Sequence, residues 1–85
     1  MLRNHGLLAV GPTIADAFQA MYFFESACMI QIRAQAGGDE LRLIPQQIIA
    51  GAQRQAKAVT KGLGGNLAWP GLLRKLDRMD ASFRD

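Results

Sequence analysis

The residue of this sequence best suited to chemistry is its one histidine, His5, which stands in the triplet Asn4-His5-Gly6. A neutral imidazole is a good ligand for zinc and similar divalent ions. A catalytic metal site, however, needs about three protein ligands and an open position, which one histidine cannot supply. On residue type alone, His5 is therefore read more readily as a structural or partly exposed histidine than as a metal ligand.

Other polar side chains with chemical potential lie in the long segment that follows. On a helix, Asp16 and Glu25 are about 13 Å apart along the axis, too far to share one metal ion with ease. Asp16 is explained as the capping partner of Thr13. Glu25 fits a salt bridge to a cation elsewhere in the domain or a strip of exposed helix. Cys28 lies in an apolar run and is expected to pack in the core.

The elements that position these residues begin with two short strands, predicted within residues 1–12. Residues 7–10 form an apolar run that stops at the turn pair Gly11-Pro12. Gly6 splits the stretch and permits a bulge or a tight bend. This arrangement would place His5 at a strand end.

A long helix is predicted over residues 13–36. Thr13 can cap a free amide at its start, and no Gly or Pro intervenes before Gly37. Apolar residues cover the helix nearly all round, which is typical of a buried helix. The rest of the chain is too small to wrap it, so we expect a sheet or a tight oligomer outside this segment to cover it.

Two shorter helices are predicted over residues 45–61 and 69–79. The first is amphipathic and starts at Pro45, which suits a first helical turn. A flexible joint is expected between the helices, formed by Gly62, Gly64 and Gly65. Residues 80–85 are predicted to form a loose tail. The remaining aromatic side chains of note, Tyr22 and Trp69, are expected to pack rather than to stack on a ligand.

Composition excludes several classes of protein. Of the 85 residues, 49% are apolar, a heavy load for so short a chain. The formal charge of +3 comes from cations spread along the chain without interleaved aromatics, which argues against nucleic-acid binding. Charges interrupt the longest apolar region, so no membrane span is expected. One cysteine cannot form an internal disulfide and fits a cytoplasmic location.

Several stretches together resemble the class II aldolase/adducin family. They are NHGLLAVG at residues 4–11, AF at 17–18, YFFESAC at 22–28, IRAQAGG at 32–38 and WPGLLRKLDR at 69–78. The last two are similar to a bacterial, adducin-like branch. The resemblance covers nearly the whole chain and corresponds to the C-terminal third of the family.

The resemblance implies an α/β fold: residues 1–85 would be a single partial domain, the C-terminal part of an α/β/α sandwich. In the family, the histidine of the Asn-His-Gly motif is the third metal ligand, which assigns metal ligation to His5. The other two ligands lie upstream in a His-x-His motif that this sequence lacks. The metal, usually zinc, polarises a carbonyl as a carbon–carbon bond of a sugar phosphate breaks. Related members are epimerases or dehydratases, and the assembly is usually a homotetramer.

Three functions follow as alternatives. The first is a fragment of a metal-dependent aldolase or related lyase, inactive alone, with no catalytic residue of its own and with His5 as its metal ligand. The second is a non-catalytic, adducin-like module for interaction or oligomerisation, without metal. The third is a small helical protein that oligomerises on its own.

Overall fold

The computed structural model describes residues 1–85 and is built from helices. Helix α1 spans Ile14–Ala36, α2 spans Gln46–Thr60 and α3 spans Trp69–Met79. Two short 3₁₀ helices, Gly64–Leu67 and Ala81–Arg84, precede and follow α3. Each of the three main helices lies within one residue of its predicted limits at either end.

The α/β fold class with two N-terminal strands was wrong: the structure is 67% helical and contains no strand. The only β-type pairing in residues 1–12 is an isolated bridge between Leu2 and Gly6. Residues 7–10 are not helical, but none of their backbone groups hydrogen-bonds to another segment. A strand needs a neighbouring strand to pair with its N–H and carbonyl groups, and this chain offers no second one.

Helix α1 starts as the sequence predicts. The Thr13 hydroxyl accepts a hydrogen bond from the Asp16 N–H at 3.1 Å and donates one to the Asp16 carboxylate at 2.7 Å. This reciprocal cap satisfies one of the free amides at the helix start and places a negative charge in the first turn. The helix ends before Gly37, and Gly38 follows with a positive φ of 75°.

The two shorter helices have local start and stop signals of their own. Pro45 comes directly before α2, which ends where Lys61 adopts a left-handed conformation with φ 53°. Pro70 lies in the first turn of α3, where its missing N–H costs nothing.

The segment expected as a loose tail, residues 80–85, is folded back on α3. The Arg84 guanidinium donates two hydrogen bonds of 2.6 Å to the carboxylate of Asp77. The Asp80 side chain accepts a hydrogen bond from the Ser82 N–H at 2.9 Å and so caps the last 3₁₀ turn. These two local contacts order the segment.

Very little of the molecule is buried. Only Ala15 and Gly65 are buried among 85 residues. The Cα radius of gyration is 16.4 Å, whereas a compact chain of this length has one of about 12 Å. The accessible surface is 7825 Å², against about 5,000 Å² for a compact monomer of this mass. None of the helices is both long enough and apolar enough to cross a membrane.

The apolar surface of α1 is therefore open to solvent within this chain. Phe23 is 60% exposed and Ile30 65% exposed. Residues 1–10 run beside one side of α1, from Met29 and Ile32 towards Ala20, and leave the rest uncovered. The all-round apolar character predicted for this helix is thus present, and nothing in these 85 residues covers it.

Candidate functional site

His5 lies in a tight turn that is closed by backbone hydrogen bonds. The Leu2 N–H donates to the Gly6 carbonyl at 2.7 Å, and the N–H groups of His5 and Gly6 both donate to the Leu2 carbonyl at 3.2 Å. Asn4 has φ 62° and Gly6 has φ 115°. Asparagine tolerates the left-handed region better than most residues, and glycine alone adopts a φ of that kind readily. The residue types on either side of His5 therefore suit this turn.

The His5 ring is held by the same turn. Its Nδ1 lies 2.9 Å from the Arg3 carbonyl oxygen, and the ring is exposed. A carbonyl oxygen can only accept, so the contact places the ring proton on Nδ1. In the neutral ring the lone pair then lies on Nε2, which has no hydrogen-bond partner within the chain.

This arrangement fits a divalent metal ion in one respect. Histidines that bind metals generally donate their other ring N–H to a carboxylate or a backbone carbonyl, which fixes the tautomer and the ring orientation. His5 has that bond already. No group of three or more His, Cys, Asp or Glu side chains comes together anywhere in the chain. The chain thus holds one histidine with a fixed ring and no complete metal site.

A cavity of about 440 Å³ adjoins the His5 turn. One wall is formed by Gly6 and Leu7, and the other by a stripe of α1. The stripe consists of Glu25, Cys28, Met29, Ile32 and Arg33. Its members follow the i, i+3, i+4 spacing of one helix face. The turn therefore faces the part of α1 that carries two of its three charged residues.

Glu25 and Cys28 can now be placed. Glu25 is exposed and makes no ion pair, since the one ion pair of the chain joins Arg84 to Asp77. Of its two expected settings, the strip of exposed helix is the one observed. Cys28 is a free, half-buried thiol in the cavity wall. It is less enclosed than the core position expected for it.

Asp16 does structural work at the start of α1. One carboxylate oxygen accepts a hydrogen bond from the Thr13 hydroxyl. The other accepts a hydrogen bond of 2.9 Å from the N–H of Gly65, which lies 49 residues later in the sequence. The hydrogen bond from Thr13 and then that from Gly65 lower the pKa of Asp16 from its ordinary value of 3.8. The capping role predicted for Asp16 is confirmed, and the bond to Gly65 is an addition that sequence reasoning missed.

The aromatic side chains pack where α1 meets α3. The rings of Phe18 and Trp69 are 5.7 Å apart, and Phe18 stacks on Tyr22 at 6.5 Å. These separations are typical of stabilising aromatic pairs. The packing role predicted for Trp69 is confirmed, whereas Tyr22 is 59% exposed and contacts only rings of its own helix.

Comparison with known proteins gives a consistent result. The family model described as the class II aldolase and adducin N-terminal domain matches residues 1–32, which include the whole His5 turn. A provisionally named aldolase class 2 protein of Pseudomonas aeruginosa is 49% identical over 99% of this chain and 34% of its own length. A protein of the same provisional name from Caulobacter vibrioides is 44% identical over 100% of this chain and 33% of its own length.

More distant similarity reaches the adducins. Gamma-adducin of Rattus norvegicus is 33% identical over 93% of this chain and 13% of its own length. The chain thus spans about a third of the length of the bacterial relatives and a smaller part of the adducin. No solved structure matches it.

Proposed function

The chain belongs to the class II aldolase and adducin family, and on that premise we propose that it supplies one ligand, His5, to the metal centre of a lyase. The whole protein would cleave a carbon–carbon bond in a sugar phosphate or a similar hydroxy-carbonyl substrate. The remaining ligands would come from polypeptide outside these 85 residues. The chain alone would be inactive.

The observation that carries this proposal is the hydrogen bond between Nδ1 of His5 and the Arg3 carbonyl. It holds the ring in the one tautomer that leaves Nε2 free to bind a metal. The family match over residues 1–32 covers the turn and every residue of the α1 stripe except Arg33.

The proposed metal is zinc, which imidazole nitrogens bind well, and it would act as a Lewis acid that polarises the substrate carbonyl. The work of this chain is to hold and orient Nε2. The turn does so through the backbone bonds between Leu2 and Gly6, and the cavity beside it offers room for part of a small ligand. A cytoplasmic location accords with the free thiol of Cys28.

A second candidate is an adducin-like module without metal, which would serve in interaction or oligomerisation. It is supported by the 33% identity to gamma-adducin over 93% of this chain. The large exposed apolar surface also supports it, because such a surface needs a partner. Under either candidate, other copies of the same protein are the partners we expect, as a homo-oligomer and in the family's manner a tetramer.

A chimera separates the two candidates. The 85 residues replace the matching third of the Pseudomonas aeruginosa relative, and the metal content of the purified protein is measured by mass spectrometry. The lyase proposal predicts about one divalent ion per subunit, lost in the His5→Ala chimera. Cys28→Ser is the matched control, because it changes a possible metal donor outside the turn and should leave the metal in place.

Two outcomes would count against the lyase proposal. A folded, oligomeric chimera without metal would favour the adducin-like module. Metal that remains after His5→Ala would show that His5 is not a ligand, whatever the rest of the protein does.

A further inference from the structure

Only two residues other than glycine have a positive φ, and Asn4 is one of them. The other, Lys61, ends α2, where a left-handed residue is common. Asn4 instead holds the third position of a β-turn that runs from Leu2 to His5 and is closed by the His5 N–H on the Leu2 carbonyl. Turns with a positive φ at that position alone favour glycine or asparagine there.

The backbone of Asn4 decides where the Arg3 carbonyl points. That carbonyl and the Asn4 N–H belong to one rigid peptide unit, whose orientation relative to His5 changes with rotation about the N–Cα bond of Asn4. At a φ of 62° the carbonyl oxygen lies 2.9 Å from Nδ1 of His5. Rotation to the negative φ that most residues prefer would turn the peptide unit by roughly 120°. The carbonyl would then leave the ring.

The amide side chain of Asn4 takes no part in this contact. It is exposed, and none of the side-chain hydrogen bonds of the chain involves it. Asparagine can hold a left-handed conformation with the help of a local side-chain hydrogen bond, and Asn4 has none. The turn therefore uses the backbone conformation of Asn4 and not its amide.

We propose that Asn4 is a positioning residue for His5 and acts through its left-handed backbone. It directs the Arg3 carbonyl to Nδ1, which keeps the ring proton there and leaves the lone pair on Nε2. The consequence for metal binding rests on the metal role proposed for His5. Loss of a group that orients a metal-binding histidine typically lowers metal affinity by about 10- to 100-fold.

A substitution series at Asn4 tests the proposal, with nitrogen-15 NMR of the neutral His5 ring in the 85-residue chain as its measurement. The signals are unambiguous, because His5 is the only histidine. Asn4→Gly should keep the ratio of Nδ1–H to Nε2–H tautomer within about twofold, since glycine adopts a positive φ freely. Asn4→Ala should lower that ratio about three- to tenfold. Asn4→Val should lower it further, because β-branched residues avoid this region most strongly.

Asn66→Ala is the matched control for Asn4→Ala. Asn66 is also exposed, but it lies in the first 3₁₀ helix and has no positive φ. The same change of side chain there should leave the tautomer ratio of His5 as it is.

The chimera with the Pseudomonas aeruginosa relative extends the test to metal affinity. Zinc affinity should fall about tenfold or more in Asn4→Ala. It should stay within about twofold in Asn4→Gly, because glycine keeps the turn.

Equal loss of the Nδ1–H tautomer in Asn4→Gly and Asn4→Ala would overturn the proposal, since it would assign the effect to the missing amide. An unchanged ratio in all three variants at position 4 would overturn it as well. Tautomer ratios in the expected order, together with a chimera that holds no metal, would support positioning by Asn4 and contradict the metal role of His5.

Discussion

The two residues that flank His5 adopt backbone conformations that most side chains avoid. Asn4 has φ 62° and Gly6 has φ 115°. These angles turn the chain so that the Arg3 carbonyl meets Nδ1 of His5. At the scale of the residue, the tautomer of the imidazole is therefore set by backbone geometry, and that geometry is permitted by the residue types at positions 4 and 6.

The variant Gly6→Ala should disturb the His5 ring. A Cβ at position 6 would meet nothing within 4 Å, so its effect comes from φ alone. Holding alanine in such a conformation costs about 1–3 kcal/mol, enough to open a turn held by three hydrogen bonds. Nitrogen-15 NMR of the His5 ring should then show less of the Nδ1–H tautomer.

Gly51→Ala is the control for Gly6→Ala. Its Cβ also meets nothing within 4 Å, but Gly51 lies inside α2 with an ordinary helical φ. It should leave the His5 resonances unchanged and raise the helix content slightly. Ring nitrogen shifts that are identical in Gly6→Ala and the unchanged chain would show that the turn does not set the tautomer.

Only part of this site could be predicted from residue types. The lone histidine in Asn4-His5-Gly6 drew attention to this turn, and the spacing of Thr13 and Asp16 predicted the cap. The hydrogen bond to the Arg3 carbonyl could not be foreseen, because its acceptor is a backbone atom placed by the φ of Asn4. The metal role of His5 stays a proposal.

At the scale of the element, the start of α1 joins distant parts of the chain. The Asp16 carboxylate accepts the Gly65 N–H, and Gly65 and Ala15 are the only two buried residues. A flexible joint was expected at the glycines after α2, and that expectation was wrong for Gly65. The local sequence indicates that a glycine widens the range of backbone conformations. It does not indicate that Gly65, by lacking a side chain, allows two distant segments to come into contact.

The variant Gly65→Ala should undo this junction. A Cβ at position 65 would overlap the carbonyl group of Ala15, which is backbone and cannot turn aside. We expect a loss of about 1–3 kcal/mol in the free energy of unfolding, the usual cost of overpacking. Urea unfolding followed by the fluorescence of Trp69, which packs on Phe18, measures it. An unchanged midpoint would contradict the packing described.

The junction should also depend on pH. Hydrogen bonds from Thr13 and Gly65 lower the pKa of Asp16 in the folded chain. Their contribution is fully present above the unfolded pKa and is lost as pH falls through the folded value, which lies below 3.8. Trp69 fluorescence should therefore report loosening on acidification. The change should be absent in Asp16→Asn and retained in Asp39→Asn, an exposed carboxylate without a hydrogen-bond partner. Identical titrations of the two variants would exclude Asp16 as the cause.

At the scale of the whole molecule, the helices were predictable from the sequence and the absence of strands was not. Caps such as Thr13 and breaks such as Gly37 are local, so the limits of α1 follow from the residues around them. The expected strands in residues 1–12 depend on partners, and residues 7–10 have none in this chain. Pairing is a property of two segments, and one apolar run cannot show that the other is present.

The exposed surface predicts self-association. The accessible surface of the chain exceeds that of a compact monomer by about 2,800 Å². This excess area is similar to the area buried in large obligate interfaces. Small-angle scattering of the 85-residue chain should show a radius of gyration that rises with concentration. Replacing two exposed residues of α1, Phe23→Gln/Ile30→Gln, should reduce that rise, whereas Gln31→Ala should not. A radius near 12 Å at every concentration would contradict the open structure.

We propose that this chain brings one metal ligand, His5, and not a metal site. The most direct measurement is a zinc titration of the 85-residue chain followed by NMR of the His5 ring. We expect weak zinc binding at Nε2, about millimolar or weaker, that is abolished in His5→Ala and unaffected in Cys28→Ser. Binding at about micromolar concentration or below, or binding that survives His5→Ala, would contradict it.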